Sequence, residues 1–349
     1  MAAPVGRRKG DGVRVLVTGA TGMLGRGVAQ ALAERGDHVA VLQRRPAALG
    51  LPEVLTDISD ADSVRAAATN QDAVIHLAAK VNVVGPEAEY VRVNVQGTRA
   101  VVDACVAAGV QRLVYVSSPS VAHSGSALVG RGADPADPVA ARGPYARSKA
   151  AAELIALGAD RGQLAVVAIR PHSVWGPGDT QLVARVVDRA RRGRLPLIGS
   201  GAALIDSTYV VNAVEALLAA LDRCVETRGQ ALVVTNGEPR PVAELLAALC
   251  RAAGVPEPKL HIPVGLARAG GTLVESLWTL PRRRRRAPNG DDPPLTRFLV
   301  EQLSTAHWFD QRLTRQVLQW HPRVTLDEGF AELQRWYAHF GVARASRFV

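Results

Sequence analysis

The stretch V-R-V-L-V-T-G-A-T-G-M-L-G, residues 13–25, leaves the chain few folds to choose from. Val13, Val15 and Val17 make a short β-branched run that ends against glycine, the pattern of a buried strand. Gly19, Gly22 and Gly25 follow at every third position. Behind them Met23, Leu24, Val28, Ala31 and Leu32 recur at helical spacing as far as Gly36. Strand, glycine turn and helix in that order predict a dinucleotide-binding corner. One glycine turns the chain, one admits a pyrophosphate to the backbone, and one lets the helix pack on the strand. The pyrophosphate would rest on the free N–H groups and positive dipole at the helix start. A glycine triplet alone suits any tight turn. Its place directly behind a buried strand favours the cofactor reading.

Further along, short apolar runs predict strands at 39–42, 54–58, 74–77, 113–116, 166–169 and 232–235. Helical patterns cover 91–108, 145–157 (with Pro144 at its start), 182–190, 210–221, 242–253 and 326–340. The alternation predicts an α/β chain, a doubly wound parallel sheet covered on both faces, with a smaller, mostly helical C-terminal substrate region. Ligands of such a sheet lie beyond the carboxyl ends of its strands, where Asp57, Ala78, Ser118 and Pro171 would stand. The expected organisation is a disordered tail over 1–12, a cofactor domain over 13–175, and a substrate region over 176–349 interleaved with it.

The second strand runs into Q-R-R-P. An acidic residue here would bond the 2′-hydroxyl of NAD and repel a 2′-phosphate. Arginine instead holds a phosphate through paired N–H donors, so Arg44 favours NADP (NADPH) over NAD. The alternative is that Arg44 and Arg45 are merely solvated.

With 349 residues, the length allows one large domain or two smaller ones. The 48% hydrophobic and 21% charged composition is that of an ordinary soluble chain. Cys105, Cys224 and Cys250 are too widely spaced for a metal or redox motif, and they suit a reducing compartment. The start carries Arg7, Arg8 and Lys9 but no apolar core segment, which argues against a secretory signal and for a cytoplasmic protein. The formal charge of +10 includes five consecutive arginines, 282–286. No aromatics are interleaved with them, so nucleic acid is not expected as a partner. Residues 261–280, apolar apart from Arg268 and Glu275, precede those arginines. Two readings stay open: a lid or wall over an apolar substrate pocket, or peripheral contact with an anionic membrane surface through 261–286.

A second stretch carries the chemistry, G-P-Y-A-R-S-K at 143–149. On a helix Tyr145 and Lys149 share a face. A nearby ammonium and the positive helix start would lower the phenol below its ordinary value of about 10. Tyr145 could then exchange a proton with a substrate alcohol or ketone. Ser118 would hold the substrate oxygen, and Lys149 would also reach the nicotinamide ribose.

Taken together these stretches resemble an extended short-chain dehydrogenase/reductase, with a Rossmann-type fold. T-G-A-T-G-M-L-G resembles its glycine motif and assigns Gly19, Thr21, Gly22, Met23, Leu24 and Gly25 to the cofactor. Asp57 and Ile58 resemble the adenine-contacting pair. Leu77, Ala78 and Ala79 of H-L-A-A resemble the loop beside the cofactor, and Asn94 the helix asparagine. Ser118, Tyr145 and Lys149 resemble the catalytic triad. Arg170 and Pro171 with W-G-P-G-D resemble the segment flanking the nicotinamide, where the family position implies that His172 touches the ring through its backbone, and Asp206 with T-Y-V-V-N resembles the later signature. V-S-S-P-S-V-A-H, T-N-G-E-P, P-P-L-T-R-F and T-A-H-W-F resemble the 3β-hydroxysteroid dehydrogenase branch and, more narrowly, the bacterial 2-alkyl-3-oxoalkanoate reductases. The resemblance implies ketone–alcohol interconversion on a large apolar substrate, and it allows a homodimer. A nucleotide-sugar epimerase or dehydratase with retained NAD, and a non-catalytic NADP sensor, are the alternatives.

Of the remaining histidines, His76 reads as a satisfied core residue, and His123 is placed to line the pocket. No cluster has metal-ligand spacing, so no metal is expected.

Overall fold

The computed structural model describes residues 12–81, 85–279 and 297–341. The expected disordered tail, except Gly12, and the arginines 282–286 lie outside the described residues, as does most of P-P-L-T-R-F.

Seven parallel strands form the main sheet: β1 (Arg14–Thr18), β2 (His38–Gln43), β3 (Glu53–Leu55), β4 (Ala73–His76), β5 (Arg112–Val116), β6 (Ala165–Pro171) and β7 (Ala231–Val234). Their spatial order is β7-β6-β5-β4-β1-β2-β3. The chain winds outward from β1 in one direction and then crosses to β4 on its other side. The two halves part between β1 and β4, and the crevice beyond that point is where a doubly wound sheet takes its ligand.

The strands are apolar on both faces because helices cover both. Val15 and Val17 point into one layer with Val28, Ala29 and Leu32 of the helix Met23–Glu34 and with Leu217 and Leu221 of the helix Val210–Asp222. Leu16 points the other way, toward Val64, Val101, Cys105 and Ala152 on the helices Ala61–Ala68, Gly97–Ala108 and Gly143–Gly158. Alternate residues of one strand thus serve opposite cores. Each fully buried Leu or Val side chain contributes about 1.5–3 kcal/mol.

A third core joins the helices Val183–Arg191, Val242–Ala253 and Leu326–Phe340. Trp175 stacks on Phe330 at 4.4 Å and donates its indole N–H to Ser207 Oγ at 3.0 Å. Thr325 and Glu328 form a capping box at the start of the last helix. A small second sheet lines up Arg240–Pro241, Leu204–Ile205, His307–Phe309 and Leu128–Arg131. Its last pairing carries His307 from the C-terminal part to the loop that follows β5.

Two expectations are corrected. The third strand ends at Leu55, not 58. Asp57 accepts from Ser59 N–H at 3.0 Å and from Ser59 Oγ at 2.7 Å, and this local turn takes the chain out of the sheet. The helix expected over 91–108 is not uniform: Val91–Gln96 is a π-helix, and the α-helix runs Gly97–Ala108. Within the stretch expected over 261–280, residues 261–279 are described and form a short strand His261–Ile262, paired with Leu197–Ile198, and the helix Val264–Thr279. That helix packs against the helix Arg297–Ser304. Among the described residues no helix is long and apolar enough to cross a membrane.

Candidate active site

The glycine corner is built as a phosphate cradle. Gly19 has φ +82°, and a Cβ there would stand 2.9 Å from Ala78 N. Only glycine meets both demands. A Cβ on Gly25 would overlap the carbonyl oxygen of Gly19, so helix and turn can close up only without one. Gly22 caps the helix Met23–Glu34 with no side-chain bond, and its first turn holds no acidic residue. The first amides of the helix therefore meet no competing carboxylate. Thr21 and Gly22 are exposed, and Met23 and Leu24 are half-buried. These residues fit a dinucleotide pyrophosphate.

The remaining candidates follow along the same edge. At the end of β2, Gln43 is buried and bonds Glu53, which also accepts from Ala47 N–H at 2.8 Å. Arg44 and Arg45 are exposed. Past β3, Asp57 receives Arg92 at 3.0 Å, and Ile58 is buried against Gly97. Burial alone would raise the Asp57 carboxyl, yet the Ser59 hydrogen bonds and Arg92 hold it below its ordinary value. Past β4, Leu77, Ala78 and Ala79 form a half-exposed rim, and Ala78 N–H donates to Thr18 Oγ1 at 3.1 Å. His76 lies between Thr18 Oγ1 at 2.7 Å and Thr98 Oγ1 at 3.1 Å, buried and satisfied as expected.

Asn94 sits in the π-helix, a distortion that recurs at functional sites. Its Oδ1 accepts from Lys80 N–H at 2.7 Å, and its Nδ2 donates to Ser148 Oγ at 2.9 Å. It therefore ties the loop beyond β4 to the helix Gly143–Gly158, which carries Tyr145 and Lys149.

Ser118 caps the 3-10 turn Pro119–Ala122, and its hydroxyl accepts from Ser120 Oγ at 3.0 Å. It shares a cavity wall with Tyr145 and favours the ionised phenol. Lys149 is buried, donates to Val116 O at 2.6 Å and lies 4.2 Å above the Tyr115 ring. Burial pushes its amine down to about 7, with the Glu153 charge pulling the other way. The expected lowering of Tyr145 is corrected here. Burial raises the phenol above its ordinary value, and Ser118 only partly offsets this. The physical reason is that burial disfavours the phenolate, and the buried Lys149 amine is itself readily neutralised.

Pro171 ends β6. His172 directs Nδ1 to Asp206 O at 2.6 Å, and its N–H to Val234 O at 3.1 Å. The backbone contact expected between His172 and a nicotinamide could therefore use only its carbonyl, which already accepts from Thr208 Oγ1 at 2.7 Å.

Ser118 and Tyr145 open on a cavity of about 120 Å³ shared with His123, His172, His307 and Phe309. Ser173, also on its wall, has φ +46°, a strained conformation typical of functional sites. His123 lines this cavity as expected. His307, Gln302 and Phe309 were not anticipated there. The motif T-A-H-W-F marked two of them, but no local pattern says that a strand so far along the chain pairs beside Leu128. Among the described residues no group of three His, Cys, Asp or Glu side chains is arranged to hold a metal ion.

Comparison with known proteins agrees with this geometry. The family model described as "NAD dependent epimerase/dehydratase family" matches residues 15–234. The 2-alkyl-3-oxoalkanoate reductase of Stenotrophomonas maltophilia is 40% identical, over 92% of this chain and 98% of its own length. A 3-beta-hydroxysteroid dehydrogenase of Mycolicibacterium neoaurum is 30% identical, over 93% and 91%. The solved structure of MoeE5 in complex with UDP-glucose and NAD superposes with a TM-score of 0.71 at 29% identity, covering 93% of this chain and 99% of that one. With its switch-point cradle, its Ser118–Tyr145 pair and these relatives, the chain belongs to the NAD-dependent epimerase/dehydratase family, the extended short-chain dehydrogenase/reductases, related there to ketoreductases and 3β-hydroxysteroid dehydrogenases.

Proposed function

We propose that this protein reduces a ketone on a large apolar substrate to the secondary alcohol, with NADPH as reductant. The observation that carries the reading is that Ser118 and Tyr145 stand together on the wall of one cavity beside the cofactor crevice. Ser118 orients the carbonyl oxygen. Tyr145 gives that oxygen its proton, and Lys149, when protonated, stabilises the phenolate left behind. Bound nicotinamide supplies the hydride that reaches the carbonyl carbon. Gly19, Thr21, Gly22, Met23, Leu24 and Gly25 hold the pyrophosphate, with Asp57 and Ile58 toward the adenine, and Ala78, Asn94 and Lys149 on the nicotinamide side. Exposed Arg44, at the end of β2, takes the 2′-phosphate of NADPH.

The cavity holds the polar head of a substrate, and long chains must leave it. Gln302 on its wall belongs to the helix Arg297–Ser304, which packs on the apolar helix Val264–Thr279. That pair supports the reading of residues 261–280 as the wall of an apolar channel. The relative named 2-alkyl-3-oxoalkanoate reductase supports a 3-oxo acid as the ketone. The alternative epimerase reading, which the family description suggests, predicts no net consumption of cofactor.

Initial rates of NADPH oxidation with a long-chain 2-alkyl-3-oxoalkanoate, and with a 3-oxosteroid in parallel, test the proposal. Turnover of the oxo acid supports it. Turnover of the steroid alone moves the substrate to the sterol side. Silence on both, with NADPH bound, overturns it.

A further inference from the structure

Three histidines from distant parts of the chain meet at the wall of the Tyr145 cavity. His123 follows the 3-10 turn after β5, His172 follows β6, and His307 lies on the small sheet. The rings of His123 and His307 meet edge to face, with centroids 4.9 Å apart and planes at 78°. His172 has a backbone partner for Nδ1. His123 has no hydrogen-bond partner on either ring nitrogen, and His307 has none on Nδ1, although both residues are 1% exposed. Buried polar atoms are ordinarily paired. Three orphaned nitrogens on two touching rings, at a cavity that also holds the proton donor, call for a ligand group.

Their hydrogen-bonding capacity says which group. His307 Nε2 lies 3.3 Å from Thr305 Oγ1, whose own hydrogen goes to Glu301 O at 2.6 Å. Nε2 is then the protonated nitrogen and Nδ1 a bare acceptor. A neutral His123 adds one N–H and one lone pair. The three orphaned nitrogens thus offer one donor and two acceptors; a carboxyl group takes the donor on one oxygen and gives its proton to one acceptor, which leaves one lone pair for an amide or water hydrogen. No lysine or arginine is among the residues lining the cavity. A carboxylate brought in beside Tyr145 meets these imidazoles and the Gln302 amide.

We infer that His123 and His307 form the subsite for a carboxyl group on the carbon next to the reacting carbonyl, so that the pocket selects a 3-oxo acid over the corresponding neutral ketone. The inference rests on the ketone-reducing reading above and names its substrate class. Burial pushes His307 down to about 3, with His172 and His123 adding to it, and burial lowers His123 against the pull of Glu301. Arg142 lowers His123 further, and the nearby backbone of Ser126 and Gln302, which makes no well-formed hydrogen bond to the orphaned nitrogens, raises the two rings only in part. Both rings are thus neutral when the pocket is empty. The incoming carboxylate therefore brings one proton from solvent, which it shares with a ring, and no substrate bond breaks.

The test compares kcat/KM for a 2-alkyl-3-oxoalkanoate with that for the ketone of the same chains lacking the carboxyl, in the wild type, His123→Phe, His307→Phe and His123→Gln. The two Phe variants are expected to lose roughly ten- to hundredfold on the acid, mainly through KM, and far less on the ketone. His123→Gln, which keeps a donor and an acceptor, is expected to recover part of the preference. Equal losses on acid and ketone, or an unchanged preference, overturn the inference. Should the wild type reduce neither compound, the functional reading fails, and the subsite is decided alone by calorimetric titration of the NADPH-bound protein with decanoate. Binding with proton uptake that is lost in His123→Phe supports it. No binding, or binding unchanged by the substitution, overturns it.

Discussion

The Lys149 ammonium donates to the carbonyl oxygen of Val116 across 2.6 Å. That bond fixes the helix bearing Tyr145 to the strand end that presents Ser118. It also leaves the amine buried and easily neutralised.

The protonation of Lys149 sets a pH dependence. Its amine titrates at about 7 because burial disfavours the charged form. Below that pH it is charged and, in the proposed mechanism, would stabilise the phenolate left when Tyr145 gives up its proton. Above it that help is lost. Reduction is therefore expected to fall as pH rises through this region. Lys149→Arg, whose guanidinium stays charged, should move the limb upward. Rates across the pH range check this, and a limb unmoved by the substitution contradicts it.

Glu153 is the counter-charge behind that lysine and the partner of Arg170. The pair is bidentate at 2.9 and 2.5 Å, with side chains 1% and 2% exposed. Glu153→Gln leaves the Arg170 charge buried without its carboxylate and is expected to cost about 3–5 kcal/mol in urea unfolding. Because the Glu153 charge raises Lys149, the same variant should shift the alkaline limb to lower pH. Wild-type stability in the variant contradicts the account.

Gly25→Ala places a methyl group on the Gly19 carbonyl, with Ala20 Cα at 3.1 Å. The helix start must move away from the turn, at about 1–3 kcal/mol. A rise of roughly ten- to hundredfold in the NADPH dissociation constant is expected by fluorescence titration. Unchanged affinity would remove this turn from the cofactor site.

Arg44→Ala tests the 2′-phosphate. NADPH affinity should drop by roughly tenfold or more, as when a charged hydrogen bond is lost. NADH affinity should hold within about twofold, the size of a screened surface charge effect. Equal losses for both cofactors contradict the assignment.

Much of this fold was legible because its strands are short β-branched runs and its helices keep strict apolar spacing, as at 242–253. The glycine corner and the Tyr145–Lys149 spacing are local patterns, so the sequence carries them openly. The π-helix at Asn94 has no such signature, and the bonds Asn94 makes there go to Lys80 and Ser148, distant in the sequence. The histidine wall is equally hidden: His307 reaches His123 only through the pairing of His307–Phe309 with Leu128–Arg131. Tyr145 shows a third limit. Spacing brings a lysine near, but burial decides the sign of the shift.

The central claim is that Tyr145 protonates a ketone while the cofactor is consumed. Single-turnover oxidation of bound NADPH by a 2-alkyl-3-oxoalkanoate, in the wild type and in Tyr145→Phe, tests it most directly. The account predicts that the variant binds NADPH as tightly as the wild type but oxidises it about 10²–10⁴-fold more slowly, the range for a lost general acid. Oxidation at the wild-type rate in Tyr145→Phe would contradict it.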